Sequence, residues 1–431
     1  MSAGFAVSRR HFVWGLGSLG AALVSGTGAS EATAGGGMSP SAANAARAVL
    51  ERHVAQGYSP GMVALIGRGA QADVLAVGRQ SLQTPDPMRR DSIFRIASMT
   101  KPITAAVAMM LTEEGKLHLD EPVERLLPEL ANRRVLKRLD GPLDDTVPAR
   151  RPITVEDLLA FRCGMGLILE RPDSYPIQRK IRELGIVGFG PPDPASPLHP
   201  DEWMKRLGTL PLMAQPGERW MYNTGSYILG VLLARAAGQP LPDLLRERLF
   251  DPLGMKDTAF WVPSQSRSRL VSAYVPTEHG IELYESAASS AWSKPPAFPD
   301  AAAGLVSTAD DFFAFSRFML DGGMAGGRRL LSQASVKTMA TNRLTPAQRA
   351  GGTPILDAGR GWGLGMSVVV EKGTEGLPAG AFGWNGGLGT TWVADPQSGQ
   401  STLLLTNTMF ASPVLPAVHQ EFLRTVWVAR S

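Results

Sequence analysis

The chain has 431 residues, of which 44 % are hydrophobic and 19 % charged, and its formal net charge is +4. This composition is typical of a globular protein and excludes a largely disordered or membrane-spanning chain. The small positive charge comes without a basic, aromatic-rich cluster, so we predict no nucleic-acid partner. Cys163 is the single cysteine, which excludes an intrachain disulfide and a thiolate metal site. The six histidines have no metal-ligand spacing, and we expect no metal or other cofactor.

The first 34 residues have the pattern of an export signal. Arg9 and Arg10 form a twin-arginine pair, the uncharged run 13–26 follows, and the small residues 32–34 suit cleavage by signal peptidase. The apolar run is shorter than the ~20 residues that a membrane-spanning helix needs. We therefore predict a bacterial protein exported by the twin-arginine route to the periplasm or the medium. Its mature chain, 35–431, would have no membrane segment.

A helix and a β-hairpin are predicted at the start of the mature chain. Ser39 and Pro40 are typical of a helix N-terminus, and Gly57 is expected to end that helix. The β-rich runs 62–67 and 73–77 follow with a short turn between them, as in a hairpin.

The turn between helix and hairpin, 57–61, formally matches the G-x-S-x-G motif of α/β-hydrolases. In that motif the residue after the serine contributes its backbone N–H to the oxyanion hole, and a helix follows. Here the next residue is Pro60, which has no N–H, and a strand follows. We therefore interpret Ser59 as a turn residue.

Ser98 and Lys101 lie at the start of a predicted helix that continues to Leu111. Residues three apart in a helix share one face, with Cβ atoms about 5–6 Å apart. A serine hydroxyl needs a neighbouring base to become a good nucleophile, and a desolvated lysine can act as that base. The S-x-x-K pattern is short, so on its own it identifies no enzyme.

Several prolines and little periodicity characterise residues 165–200, which predicts a long loop that acts as a lid or binding loop. An apolar helix is predicted at 227–237, and another at 309–320.

The last hundred residues contain further β-rich runs before a final helix: 362–370, 380–384, 390–394, 402–406 and then 416–428. Strands at both chain ends with a helical middle predict one sheet assembled from the two termini and an inserted, mostly helical domain. We assign 35–97 and 300–431 to the α/β part and 98–299 to the helical part. The active site is expected where the two parts meet.

The chain contains three motifs in this order: Ser98-Met99-Thr100-Lys101-Pro102, Tyr222-Asn223-Thr224 and Trp384-Asn385-Gly386-Gly387. With them the chain resembles the serine β-lactamase and penicillin-recognising superfamily, most closely the class C-like esterases called family VIII carboxylesterases. The resemblance covers nearly all of the mature chain. It implies an α+β, β-lactamase-like fold whose antiparallel sheet is flanked by helices.

The resemblance also implies roles for individual residues. Ser98 would attack the substrate carbonyl, Lys101 would accept or relay its proton, and Tyr222 would complete a proton shuttle to the leaving group. The backbone N–H groups of Ser98 and Gly387 would form the oxyanion hole.

Two departures from the family pattern bear on the substrate. The third motif of β-lactamases is K-T-G, whose lysine helps to hold an anionic substrate; here Trp384 occupies that position. The second motif there is Y-x-N, and here Thr224 replaces the asparagine. By the resemblance, Thr224, Trp384, Asn385 and Gly386 would contact substrate, and both changes favour a neutral, apolar acyl group. The alternative is that Trp384 packs in the core and has no role in substrate binding.

We therefore expect an exported serine hydrolase that cleaves small carboxylic esters through an acyl-enzyme on Ser98. The alternatives on the same scaffold are a β-lactamase, a D-amino-acid peptidase or an amide hydrolase. A penicillin-binding protein that stays acylated and an enzyme that transfers the acyl group to an alcohol are also compatible with these residues. The partner would be a small-molecule ester or amide, and the sequence leaves the oligomeric state open.

Overall fold

The computed structural model describes residues 38–372 and 375–428. The predicted export signal, with Arg9 and Arg10, lies outside the described residues. Within them, no helix is both long and apolar enough to cross a membrane.

Twelve helices are found in the described part of the chain, and their bounds are α1 Pro40–Ala55, α2 Thr100–Glu113, α3 Val155–Leu159, α4 Pro176–Glu183, α5 Pro200–Gly208, α6 Thr224–Ala237, α7 Leu241–Leu245, α8 Asp251–Leu253, α9 Ala309–Leu320, α10 Gln333–Met339, α11 Pro346–Ala350 and α12 Ala417–Val428. The predicted start of α1 is confirmed, because Ser39 caps the helix and accepts a hydrogen bond from the N–H of Ala42.

Seven of the strands form one sheet: β1 Gly61–Arg68, β2 Gln71–Gly78, β11 Arg360–Trp362, β12 Ser367–Val369, β13 Phe382–Gly386, β14 Thr390–Asp395 and β15 Gln400–Thr406. Their order is β11-β12-β13-β14-β15-β1-β2, and every neighbouring pair is antiparallel. The N-terminal hairpin joins the C-terminal strands where Ala64 of β1 pairs with Leu404 of β15. The predicted sheet built from both chain ends is therefore confirmed.

The eight other strands of the described residues form two-stranded ladders: β3 Phe94–Arg95 with β8 Val306–Ser307, β4 Arg134–Leu136 with β5 Thr146–Pro148, β6 Ala273–Thr277 with β7 Gly280–Glu285, and β9 Met324–Ala325 with β10 Arg328–Arg329. Helices α2 to α8 lie between β3 and β8 along the chain, as expected for an inserted, mostly helical part. The domain boundaries near residues 35, 98 and 300 stay predictions.

Helices cover both faces of the sheet. On one face, α1 and α12 pack on the sheet through a cluster that includes Leu50, Leu404 and Phe422. On the other face, Leu403 of β15 and Phe315 of α9 belong to the same large buried cluster. Since successive residues of a strand point to opposite faces, packing on both sides explains why β15 is buried along its whole length.

Replacing Leu404 by alanine should lower the free energy of unfolding by about 2–5 kcal/mol, because the truncated side chain leaves a cavity between the sheet and α12. Leu404 is 1 % exposed. Leu283→Ala is the matched control, since Leu283 is 44 % exposed and its truncation should cost no more than about 0.5 kcal/mol. Denaturant unfolding of the two variants makes the comparison; equal losses would contradict this view of the core.

The segment 165–200 differs from its prediction in one respect. It contains α4, which begins with Pro176 at the first helical position and buries Ile177 and Ile181, one helical turn apart. The surrounding prolines hide this short periodicity in the sequence, since the helix has only two turns.

Candidate active site

A short 3₁₀ turn, Ala97–Met99, carries Ser98 and leads directly into α2. The preceding Ala97 has a left-handed backbone with φ of 44°, which non-glycine residues adopt rarely. In this geometry the Nζ of Lys101 donates a hydrogen bond of 2.8 Å to the Oγ of Ser98. The structure therefore brings together the hydroxyl and the amine that the S-x-x-K spacing predicts on one face.

Lys101 is completely buried, although lysine normally keeps its ammonium group in water. Its Nζ also donates to the carbonyl oxygen of Ala302 at 3.0 Å and lies 4.6 Å from the centre of the Tyr222 ring. Burial lowers the pKa of Lys101 to about 7, and the nearby Asp300 carboxyl opposes part of this shift. At neutral pH a large fraction of this amine is thus uncharged and able to accept a proton.

The third polar group is the hydroxyl of Tyr222, which accepts a 2.7 Å hydrogen bond from the Nε1 of Trp384. Burial raises the pKa of Tyr222, and hydrogen bonds with Ser98 and Trp384 lower it by less. The phenol is therefore held in its neutral form, from which it can donate a proton.

An aromatic cluster fixes the Tyr222 ring. Phe161 and Trp362 meet it edge-on, with ring centres 5.4 and 6.2 Å away, and Trp220 lies 5.7 Å from it. Trp384 packs edge-on against Trp362 at 4.7 Å. Such packing holds the rings in single positions, which keeps the Tyr222 hydroxyl beside Ser98.

A cavity of about 270 Å³ opens above Ser98 and Tyr222. Within the described part of the chain no lysine, arginine, histidine, aspartate or glutamate lines it. Its wall is formed mainly by apolar side chains and backbone, including Leu167, Ile355, Trp384, Leu388, Met409 and Phe410. A neutral, apolar ligand suits this wall better than an ionised one, because an unpaired charge would lose its hydration there.

Ser98 and Gly387, whose backbone N–H groups are the predicted oxyanion-hole donors, both line this cavity. Neither of them donates a hydrogen bond to any other described residue. A side chain at Gly387 would meet no atom within 4 Å, so the space in front of this backbone is open. An oxyanion hole requires two free donors beside the reacting carbonyl, and the oxyanion-hole role of these two groups stays a prediction.

Two of the predicted substrate-binding residues do not reach the cavity wall, whereas Trp384 and Asn385 do. Gly386 is buried, and a Cβ there would lie 2.2 Å from the carbonyl oxygen of Ile96. Thr224 is completely buried at the start of α6, and its hydroxyl has no hydrogen-bond partner among the described residues.

Asn223 lines the cavity in place of Thr224. Its φ and ψ of 87° and −58°, with a 3.3 Å hydrogen bond from the N–H of Thr224 to the carbonyl of Tyr222, define a classic γ-turn. This strained turn accompanies the position of Asn223 on the cavity wall, and no sequence pattern predicted it.

Asp300 and Tyr227 were likewise not predicted from the sequence to belong to the site. The Asp300 carboxylate accepts hydrogen bonds from the Tyr227 hydroxyl at 2.9 Å and from the N–H groups of Ala302 and Ala303. It thereby holds the turn whose Ala302 carbonyl contacts Lys101. Burial raises the pKa of Asp300. No short motif links it to the site, because Tyr227 and Lys101 lie far from it along the chain.

The Beta-lactamase family model matches residues 46–420. The chain belongs to this family. Protein Rv1367c of Mycobacterium tuberculosis is 41 % identical over 332 residues, covering 75 % of this chain and 79 % of that protein. Esterase EstB of Burkholderia gladioli is 30 % identical over 387 residues, covering 84 % of this chain and 90 % of the esterase.

A solved structure, described as EstCE1, a hydrolase with promiscuous acyltransferase activity, superposes with a TM-score of 0.76 at 27 % identity. The match covers 90 % of this chain and 98 % of EstCE1. The β-lactamase-like fold and the relation to family VIII esterases, both predicted from the motifs, are confirmed. This family member is a serine hydrolase.

Proposed function

We propose that the protein hydrolyses neutral carboxylic esters through an acyl-enzyme on Ser98. One observation carries the proposal: the Ser98 hydroxyl lies between the amine of Lys101 and the hydroxyl of Tyr222, beneath a cavity that no charged side chain of residues 38–372 and 375–428 lines. The substrate-binding residues would be Trp384, Asn385 and Asn223, since these reach the wall.

The pKa directions assign the proton steps of this proposal. Uncharged Lys101 takes the Ser98 proton while the Oγ forms a bond to the carbonyl carbon. The N–H groups of Ser98 and Gly387 stabilise the resulting oxyanion. Neutral Tyr222 then donates its proton to the departing alcohol oxygen and recovers one from Lys101. Water then attacks the carbonyl carbon of the acyl-enzyme with the same proton transfers, which releases the carboxylic acid and free Ser98.

The names of the relatives support an ester as the substrate. EstB is an esterase, and EstCE1 is described as a hydrolase. In addition, Trp384 offers an apolar face where the β-lactamase motif has a lysine, so no cationic side chain among the described residues lines the wall to pair with a substrate carboxylate.

A substrate panel tests the proposal. The purified mature protein is assayed with 4-nitrophenyl esters of increasing acyl length and with one chromogenic cephalosporin. We expect kcat/KM for short-chain esters to exceed that for the cephalosporin by about 100-fold, because the cephalosporin carboxylate must be desolvated without a partner. Comparable values would favour a β-lactamase, and a label from fluorescent penicillin that never turns over would favour a penicillin-binding protein.

The pH dependence of kcat/KM is expected to follow the protonation of Lys101. Burial lowers the pKa of this amine to about 7, and only its neutral form accepts the Ser98 proton. Below pH 7, kcat/KM should fall about tenfold per pH unit, and above it the rate should level off. Initial rates over a pH series measure this, and a profile that is flat through neutrality would remove Lys101 from the role of base.

Acyl transfer to an alcohol is a second candidate function, because the EstCE1 structure is described as having promiscuous acyltransferase activity. The same acyl-enzyme would react with an alcohol in place of water. Adding a primary alcohol to an ester assay and measuring the ratio of new ester to free acid distinguishes the two outcomes.

We also propose export through the twin-arginine route, on the strength of Arg9, Arg10 and the small residues 32–34. Replacing Arg9 and Arg10 together by lysine should retain the full-length protein in the cytoplasm. Cell fractionation of a bacterial host with and without the double substitution provides the measurement, and unchanged periplasmic activity would contradict export by this route.

A further inference from the structure

A second cavity, of about 360 Å³, lies beside the candidate active site. It is formed by the proline-containing segment 165–200, and Gly190 and Pro191 line both cavities. The two cavities are therefore adjacent, and Gly190 and Pro191 lie between them. The active-site cavity, at about 270 Å³, is small for a drug-sized ligand, whose pocket usually exceeds ~300 Å³.

The wall of the second cavity differs from that of the first. Ile168, Ile181 and Phe189 provide apolar surface, while Glu170, Asp173 and Arg182 also line it. Asp173 and Arg182 form an ion pair with each other. The Glu170 carboxylate has no ion-pair or hydrogen-bond partner among residues 38–372 and 375–428. A wall that combines apolar side chains with one exposed carboxylate lacking a partner among the described residues suits an amphipathic group with a cationic or hydrogen-bond-donating end.

The segment between the two cavities is hydrogen-bonded to the residue that follows Tyr222. Asn223, which follows Tyr222, donates a hydrogen bond of 3.1 Å from its Nδ2 to the carbonyl oxygen of Gly188. Gly188 in turn packs on the Tyr227 ring, where a Cβ would come within 3.0 Å of ring atoms. If Tyr222 protonates the leaving alcohol, the alcohol portion of a bound ester lies on this side of the cavity.

We infer that the second cavity is a subsite for the distal part of the alcohol portion of an ester. The substrate class is an ester of a long, largely apolar alcohol that ends in a cationic or hydrogen-bond-donating group. This inference rests on the proposed function, because Tyr222 orients the alcohol. A Cβ at Gly190 would meet no atom within 4 Å, so there is open space beside the backbone that both cavities share.

Three acetate esters test the inference: 4-nitrophenyl acetate, decyl acetate and the acetate of a decanol that ends in trimethylammonium. Ile168→Trp fills the second cavity from a position outside the active-site wall. We expect it to lower kcat/KM for decyl acetate by about tenfold relative to 4-nitrophenyl acetate, since several methylenes lose buried contacts. A parallel change with both esters, or no change with either, would overturn the inference.

Glu170→Lys reverses the unpaired charge at an exposed position, so the fold is expected to persist. It should lower the ratio of kcat/KM for the cationic ester to that for decyl acetate by about fivefold. Glu278→Lys is the matched control, because Glu278 is equally exposed and lies outside both cavities. An unchanged ratio in Glu170→Lys would overturn the assignment of the polar end. Loss of 4-nitrophenyl acetate hydrolysis is instead the signature of a failed active site, which Ser98→Ala reports separately.

Discussion

Replacing Ser98 by alanine is expected to lower kcat/KM for 4-nitrophenyl esters by about 10⁴-fold or more. The variant keeps the backbone N–H of residue 98 and the buried amine of Lys101, but it has no oxygen to form the acyl-enzyme. In the variant Lys101 loses its hydrogen bond to Ser98 but keeps the one to the carbonyl oxygen of Ala302, so we expect the fold to persist and only the nucleophile to be lost. Steady-state kinetics on the purified variant, together with labelling by a fluorophosphonate, measure the effect.

Ser59→Ala provides the control for this experiment. Ser59 lies in the 57–61 turn that formally matches the hydrolase motif, yet it is 1 % exposed and donates to the Oδ1 of Asn407 at 2.8 Å. Its role in the structure is to stabilise a turn, as predicted. We expect kcat/KM of Ser59→Ala to stay within about twofold of the parent value. Equal rates for Ser98→Ala and the parent would remove Ser98 from the mechanism.

Replacing Tyr222 by phenylalanine is expected to lower kcat by about 10²–10³-fold for alkyl esters, with KM little changed. The ring that packs against Phe161 and Trp362 remains, so the change deletes only the hydroxyl. An alkoxide is a poor leaving group and needs a proton as it departs. A 4-nitrophenolate departs unaided, so the loss for 4-nitrophenyl esters should be distinctly smaller.

Comparing ethyl and 4-nitrophenyl esters of the same acid therefore tests the proton donor directly. Tyr58→Phe is the matched control, because Tyr58 is likewise a tyrosine of raised pKa, but it packs in the cluster beneath α1 and α12. Its kcat should equal that of the parent for both esters. Parental kcat on the ethyl ester in Tyr222→Phe would assign the leaving-group proton to another residue.

Elements that depend on local spacing were predictable from the sequence. Ser39 and Pro40 placed the start of α1, and the Ser98 to Lys101 interval placed a hydroxyl beside an amine, because helix geometry fixes which residues share a face. The β-rich runs near the start of the mature chain and in its last hundred residues predicted a sheet drawn from both termini. Three motifs in order then identified the family.

The chemistry of the site depends on contacts between distant segments, which no local pattern contains. The lowered pKa of Lys101 arises because helices and the 300–304 turn exclude water from its amine, and Asp300 acts on it across some two hundred residues. The γ-turn at Asn223 is likewise set by its contact with Gly188, and it places Asn223 rather than Thr224 on the cavity wall.

The amino-acid sequence by itself therefore determined the fold class, the family and the nucleophile-and-amine pair, since these follow from periodicity, spacing and motif order. Only the tertiary structure decided which form of each titratable group is favoured, which side chains reach the substrate and where a second cavity lies. Desolvation and cavity shape are properties of atoms that are close in space, and folding brings those atoms together from separate parts of the chain.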